Sequence, residues 1–499
     1  MEHVLGLIRR NVGPVIGALA FVVAALAAPP AGAAVIGVTT TVDQTGVAPG
    51  CSLRQAVGAA DLDVAQGGCP KGSGADTIRL PSGVYPLTLP GAAELLNQTG
   101  DLNVQNAGAI TIEPAGNGPV TIDANQLDRA ILNDGGASLS LHDITIRRGS
   151  LDGMVDGAGI LNASGKLTLE GVTITGSRAQ AGDGGALANY DALVVLNSTL
   201  SGNNAKGNGG GLYAAGGTTN SIRSTTISGN AADAFGTNSG DGGGIASAAT
   251  ATVNATNTII AGNFDNSPGA GSVAPDCSTG PSFFPRHTLL GDPSPALCLV
   301  GFDPGTNLTG DPRLGPLADN GGLTPTRLPL ADSPVIDTGG SAAPDACPAL
   351  DQRGVTRPKG AGCDIGSVER DPLGIDAEAA GAGAGASPPR LFLAKPRPRR
   401  TRVRSGATVR YRLRVRNTGG SVARRVRVCL VISKSGRRAV KPLGRRCRRL
   451  GRIGAGRRKV ARLSVRVRKG ARAGKVKVRF RARAAGLKAR NRAAVLRVR

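Results

Sequence analysis

Carboxylates and amides recur at near-regular intervals through the middle of this 499-residue chain, and arginines crowd its end. Asp156, Asp183, Asn208 and Asp241 each stand just before a glycine. If the chain returned on itself between them, they would stack about 4.8 Å apart. Calcium takes oxygen ligands at such spacings. The competing reading is that each side chain closes its own turn as an Asx turn. Asn208 serves that role as well as an aspartate does, and the spacing of the calcium-binding nonapeptide repeat is absent. No cofactor is therefore expected, calcium being the one alternative. A second row, Asp143, Gly171, Asn197, Ser224 and Thr256, holds one carboxylate. Hydrolysis of a glycosidic bond needs two carboxyls facing it. An enzyme here would need Asp143, Asp152 and Asp183 to converge, with Arg147 or Arg148 as base. Without a matched partner one coil on, Arg147, Arg148 and Asp152 read as a solvated edge. Asn203, Asn230 and Asn263 read as an amide ladder. Aromatic platforms for a sugar are scarce: Tyr190 and Tyr213 stand alone between Tyr85 and Phe235.

The element that must position these rows is a repeat. LTLEGVTITGS from Leu167 aligns with VVLNSTLSGNN from Val194, SIRSTTISGNA from Ser221 and VNATNTIIAGN from Val253. Ile146, Ile174, Leu200, Ile227 and Ile260 fall in phase, 26 to 33 residues apart. A parallel track runs GAGILN, GGALAN, GGGLYA, GGGIAS from Gly157, Gly184, Gly209 and Gly242. Such periods mean a solenoid or propeller. Glycine pairs in every unit exclude helical repeats. Apolar residues alternate, as at Leu167 and Leu169, which is the strand period. Strands this short are satisfied by pairing in parallel with their copies on the next coil. The expected element is a parallel β-helix over 76–340. Residues 35–75 should cap it, with a helix in CSLRQAVGAADLD (51–63).

The ends point to export. Arg9 and Arg10 precede an apolar run, Val15 to Ala28, and Ala31-Gly32-Ala33 offers a small-x-small cleavage site. A signal peptide over 1–33 follows; the run is short for a membrane span. No other segment is apolar enough to cross a bilayer. The eight cysteines fall in neighbouring pairs: Cys51 with Cys69, Cys277 with Cys298, Cys347 with Cys363, and Cys429 with Cys447. Even, local pairing suits an oxidising compartment, although sequence alone leaves connectivity open. No CxxC occurs, and His3, His142 and His287 are the only histidines, so zinc is not expected.

CSLRQAV, then DTIRLPSGVYPL, TIDA and the GGA…SGN coils resemble bacterial secreted right-handed parallel β-helix proteins. DNGGLTPTRLPLADSPVIDTG (319–339) with DQRGVTRPKGAGCDIGSVE (351–369) resembles the choice-of-anchor Q region that closes many of them. The GGA and GN coils are also similar to those of polymorphic outer-membrane adhesins. The resemblance covers about residues 35 to 370. It implies an extracellular surface protein whose carboxyl-terminal anchor varies, and no particular activity. A disulfide-stapled segment over 341–370 would end the β-helix.

After a Gly/Ala/Pro linker (371–390) the pattern changes. From Pro388 to Arg499 there are 41 Lys and Arg and no Asp or Glu, whereas the rest of the chain has 19 basic against 34 acidic residues. Arg410, Arg412, Arg414 and Arg416 alternate with apolar residues, as do Arg425 and Arg427, Arg466 and Arg468, and Arg479 and Arg481. One face of each strand is buried and the other is wet. Six or seven strands over 391–499 imply a small antiparallel immunoglobulin-like sandwich, similar to CARDB-like modules. The whole is then all-β, solenoid followed by sandwich. The ten arginines named are the expected binding surface for a polyanion such as a cell-wall polymer or acidic polysaccharide. Base stacking needs aromatics that this segment largely lacks, so no specific nucleic acid is expected. The alternative for the arginines is compositional drift. The chain is expected to be a secreted, monomeric, non-enzymatic surface protein. A polysaccharide lyase or glycoside hydrolase working on an acidic polysaccharide in the β-helix groove is the alternative.

Overall fold

The computed structural model describes residues 32–371 and 391–499, less residues 92–93, 107, 154, 217–218, 237–239, 268–273, 281, 294–297, 299–302, 399, 418–422, 434–435, 454–457 and 485–489. The expected signal segment and linker lie almost wholly outside the described residues.

Short strands return at each coil and pair in parallel with their copies, which makes a β-solenoid. Its first face has nine strands, from Val35–Gly37 to Phe283–Arg286, and its second has nine, from Gly83–Pro86 to Leu308–Thr309. A third face of seven runs from Leu102–Val104 to Cys277–Ser278, and a fourth holds five two-residue strands. The register follows the in-phase apolar positions. Ile174 sits between Ile146 and Leu200, Leu200 pairs with Ile227, and Ile227 with Ile260. Ile160, Leu187, Leu212 and Ile245 form the equivalent row on the third face. All of these are buried in one continuous core. Alternation does the sorting. On the first face Leu167, Leu169, Leu193 and Val195 turn inward, while Thr168 and Val194 turn out.

One row is corrected. Val253 pairs with Asn220, not Ser221, so the residue equivalent to Ser224 is Asn257 rather than Thr256. Asp143, Gly171, Asn197, Ser224 and Asn257 all have left-handed backbone, with φ between 45° and 67°. They form the corner between the first and second faces. Asn, Asp and Gly are the residues that enter this region at least cost.

The amino-terminal end is closed by a helix, Leu53–Leu62, whose capping box joins Ser52 and Gln55. Leu53, Ala56, Val57 and Ala60 continue the solenoid core. Arg54, in CSLRQAV, is 1 % exposed. It pairs with Asp43 at 2.7 Å and donates to the carbonyls of Thr99, Gly100 and Asp101. A buried guanidinium is tolerated because its donors are met.

The connectivity that sequence left open is the neighbouring one in every case. Cys51 is bonded to Cys69, and Cys277 to Cys298. Cys347 is bonded to Cys363, and Cys429 to Cys447. Among the described residues no cysteine is free. The first bridge ties the start of the cap helix to the chain that leaves it. Cys277 belongs to the last strand of the third face, and both it and Cys298 are fully buried in the solenoid core. Cys363 is buried, and its bridge to Cys347 lies within residues 341–370.

Parallel pairing ends at Leu308–Thr309, and the chain then reverses. A hairpin of Leu314–Ala318 with Thr326–Pro329 begins the return. Residues 324 to 367 pass forth and back along the outside of the corner row and the second face. Thr324 donates to the Gly171 carbonyl at 2.8 Å, and Asn197 to the Leu350 carbonyl at 2.9 Å. Gln352 bridges Thr173, Thr199 and Thr324, and Ser367 meets Thr226. This is the segment whose sequence resembles the choice-of-anchor Q region.

Residues 391–499 form a separate core between two sheets. One sheet orders Leu391–Leu393, Thr408–Asn417, Arg458–Val467 and Val440–Leu443; the other orders Arg400–Val403, Arg490–Val498, Gly474–Arg483, Ala423–Val431 and Cys447–Ile453. Tyr411 and Phe480 meet edge to face across the sandwich, centroids 4.9 Å apart. The nine strands exceed the six or seven expected, because Arg400–Val403, Val440–Leu443 and Cys447–Ile453 are short edge strands with weak alternation. One pair, Arg400–Val403 with Val495 to Val498, is parallel. Cys429 faces Cys447 on the neighbouring strand of one sheet, whereas the immunoglobulin bridge joins two sheets.

Candidate functional site

Two features of the described residues are concave and charged. The first lies where the return segment meets the corner row. The imidazole of His142 ends one first-face strand, and Glu170 occupies the paired position on the next coil. His142 Nδ1 lies 3.3 Å from Glu170 Oε2. Asp143 and Gly171 follow at the left-handed corner. The Asp143 carboxylate lies over Gly171, where a Cβ would come within 2.2 Å of Oδ1. Leu323 and residues 350–354 form the opposite wall of a cleft of about 370 Å³.

Burial pushes the Asp143 carboxyl up to about 6, against the pull of His142; the carboxylates of Glu170 and Glu113 push it further. Two nearly buried lining groups have unmet polar atoms. Asn197 spends its amide N–H on Leu350, leaving Oδ1 without a partner. Arg353 is held by Asp351 and the Glu369 carbonyl through Nε and Nη2, leaving Nη1 without one.

The other sequence-derived acids do not join this site. Asp183 precedes the third face and Asp152 follows a fourth-face strand, so Asp143, Asp152 and Asp183 do not converge. Asp183 N–H donates to Asp156 Oδ1 at 2.7 Å, Asn208 N–H to Asp183 at 2.6 Å, and Asp241 N–H to Asn208 at 3.0 Å. Each side chain thus ties the next coil, instead of closing its own turn. Tyr190 also donates to Asp156. Among the described residues no group of three or more His, Cys, Asp or Glu is gathered for a metal.

Arg147 and Arg148 are half-exposed, as a coil edge should be, but both are paired. They clamp the buried Asp123 carboxylate of the preceding coil, each at 2.7 Å. Asp152 is bonded to Gln180 instead. The Asn203, Asn230 and Asn263 ladder is present at 3.0 Å per step and ends on Asp276. A second buried ladder, Asn133, Asn162, Asn189 and Asn220, has steps of 2.6 to 2.7 Å. Its signal is the final Asn of the GAGILN and GGALAN tracks. Glu170 escapes a comparison along the Asp143 row, because it stands in the adjacent row, paired with His142.

The second feature is on the sandwich. Arg410, Arg412, Arg414 and Arg416 point outward from one sheet, with Arg466 and Arg468 on its neighbouring strand or at its end. Arg427, Arg479 and Arg481 belong to the opposite sheet. The side chain of Arg425 lies outside the described residues. The set therefore splits over two outer surfaces. Arg466, Arg468 and Arg481 each donate to the sandwich itself. The concave cationic sites draw on further arginines, which alternation does not single out. A groove of about 610 Å³ is lined by Arg427, Arg445, Arg448, Arg449 and Arg462. Another of about 350 Å³ holds Lys395, Arg397, Arg412, Arg414 and Arg492. There the Arg492 guanidinium stands 5.9 Å from the Phe392 ring centroid.

No family model matches the chain, and no curated protein matches it. Solved structures are similar over small parts. A family 123 glycoside hydrolase from Clostridium perfringens shares 12% identity over 20% of this chain and 22% of that one, with a TM-score of 0.16. Escherichia coli alpha-2-macroglobulin, from domain MG7 to the C-terminus, shares 18% over 23% and 17%, with a TM-score of 0.17. The sporulation control protein Spo0M of Bacillus subtilis shares 14% over 23% and 49%, with a TM-score of 0.15. The chain thus spans less than half of each protein's length, and likenesses this partial carry no activity across.

Proposed function

We propose that this is a secreted, non-enzymatic surface protein of the choice-of-anchor Q type. Its solenoid is displayed for adhesion or glycan contact, and its basic, CARDB-like sandwich holds it to anionic envelope polymers. The observation that carries the reading is the groove of about 610 Å³ lined by five arginines, in a segment with 41 cations and no carboxylate. A polymer with repeating negative charge meets many such guanidiniums at once, and weak contacts add. Four disulfides support folding in an oxidising compartment. Among the described residues no helix is long and apolar enough to cross a membrane. The test is retention on purified cell walls, comparing the full chain with one lacking residues 388–499. Retention of the full chain alone, lost as salt rises, is expected. Equal retention of both would remove the anchoring role.

A further inference from the structure

We propose that the two cationic grooves of the sandwich are two stations on one track, and that a single chain of an acidic polysaccharide crosses it. The inference rests on the polyanion reading and gives it a path and a ligand class.

The grooves draw on opposite edges of one sheet. The groove at Phe392 takes Arg412 and Arg414 from Thr408–Asn417, beside the edge strand Leu391–Leu393. The groove at Arg448 and Arg449 takes Arg462 from Arg458–Val467, beside the other edge strand, Val440–Leu443. Register joins them, because Arg412 lies directly opposite Arg462. Tyr411, Leu413, Ala461 and Leu463 turn inward, so both arginines face outward, and both are exposed. Paired residues on one face have Cβ atoms about 5 Å apart. One guanidinium pair thus bridges the grooves. Neighbouring strands are about 4.8 Å apart, so a ligand crossing this sheet meets a fresh row at each step. Like charges opposed across a ladder destabilise it. An anionic chain laid across the strands answers this pair on its way from one groove to the other.

Phe392 decides the class. It is 49 % exposed and lines the track with Arg414 and Arg492. A guanidinium fork pairs with carboxylate and phosphate alike. An exposed aromatic ring among such forks suits a partner that carries apolar faces as well as charge. A pyranose ring has such a C–H face, and a uronate polymer sets one beside every carboxylate. Inorganic polyphosphate has none.

The test titrates the full chain with trigalacturonate, dodecagalacturonate and a polyphosphate of similar charge to the dodecamer, in about 0.1 M salt. Calorimetry reads the affinity and the number bound. One dodecamer per chain is expected, held about a hundredfold more tightly than the trimer, with polyphosphate weaker than the dodecamer. Arg412→Gln combined with Arg462→Gln should cost the dodecamer about tenfold and the trimer far less, while the melting temperature holds or rises. Phe392→Leu should weaken the dodecamer and leave polyphosphate unchanged. Two dodecamers per chain would overturn the track while the polyanion reading stands. So would a dodecamer gain of only about tenfold, which its larger number of binding registers alone supplies, or a gain that survives the paired arginine variant. Equal binding of polyphosphate, with no effect of Phe392→Leu, would overturn the saccharide as ligand. Binding of none of the probes would overturn both this inference and the reading beneath it.

Discussion

The solenoid and the sandwich handle polar groups in opposite ways. In the solenoid nearly every strong polar group is answered by a neighbouring coil: Arg147 and Arg148 by Asp123, Arg54 by Asp43, asparagine by asparagine. In the sandwich like meets like. Arg427 lies directly opposite Arg449 on one neighbouring strand and Arg483 on the other, and Arg412 opposite Arg462. Like charges facing across a ladder destabilise it. The solenoid's polar groups are thus used inwardly, for register, whereas the sandwich, with no Asp or Glu in 388–499, sets cation opposite cation. A few buried solenoid atoms stay unanswered, among them Asn133 Oδ1, Asn197 Oδ1 and Ser224 Oγ.

The largest effect should come from breaking an internal ladder. Asn162 accepts from Asn133 and donates to Asn189 and to the carbonyls of Gly165 and Ala192. Asn162→Ala should lower solenoid stability by about 3 kcal/mol in a denaturant melt, since it strands buried partners on both coils. A loss below about 0.5 kcal/mol would mean that the ladder follows from stacking without supporting it.

A smaller effect of opposite sign is expected in the cleft. The folded state holds the Asp143 carboxyl at about 6, above its ordinary 3.8. The folded chain therefore binds more protons between these values, and stability falls as pH rises through them. Asp143→Asn removes the charge whose burial is unfavourable. It should stabilise the chain by about 1 to 2 kcal/mol at pH 7.5, a figure discounted for partial exposure, and by little below pH 4. Melts across this pH range check both sign and window. Arg427→Gln should raise sandwich stability by only about 0.5 kcal/mol in low salt, and by nothing measurable in 0.5 M salt. A destabilised variant would show that Arg427 is answered from within.

Translation symmetry is what made the solenoid legible. Ile146, Ile174, Leu200, Ile227 and Ile260 occupy one row because each coil repeats the last, and Asn203, Asn230 and Asn263 stack for the same reason. Where the interval stretched to 33 residues, alignment slipped by one, and Thr256 replaced Asn257; in a strand one residue changes the face. Cysteine spacing was equally readable: Cys69, Cys298, Cys363 and Cys447 each bond the nearest preceding cysteine, 16 to 21 residues back. The cleft was not legible. Its floor is at 142–143 and 170–171, and its far wall at 350–354 has no repeat to register it. Arginine alternation marked the long strands of the sandwich. It gave no hint of the groove at Arg445, Arg448 and Arg449, which forms at an edge strand of irregular pairing.

The central claim is that the sandwich's uncompensated arginines bind a polyanion. The most direct measurement is the salt concentration at which the full chain elutes from an immobilised acidic polysaccharide. Wild type is compared with Arg427→Gln, Arg445→Gln, Arg448→Gln and Arg449→Gln combined. Wild type should be retained at about 0.05 M salt and released by about 0.5 M, as screening shortens the reach of each charge. The fourfold variant should elute at clearly lower salt. Elution of both at the same salt, or retention of wild type that salt does not disturb, would contradict the account.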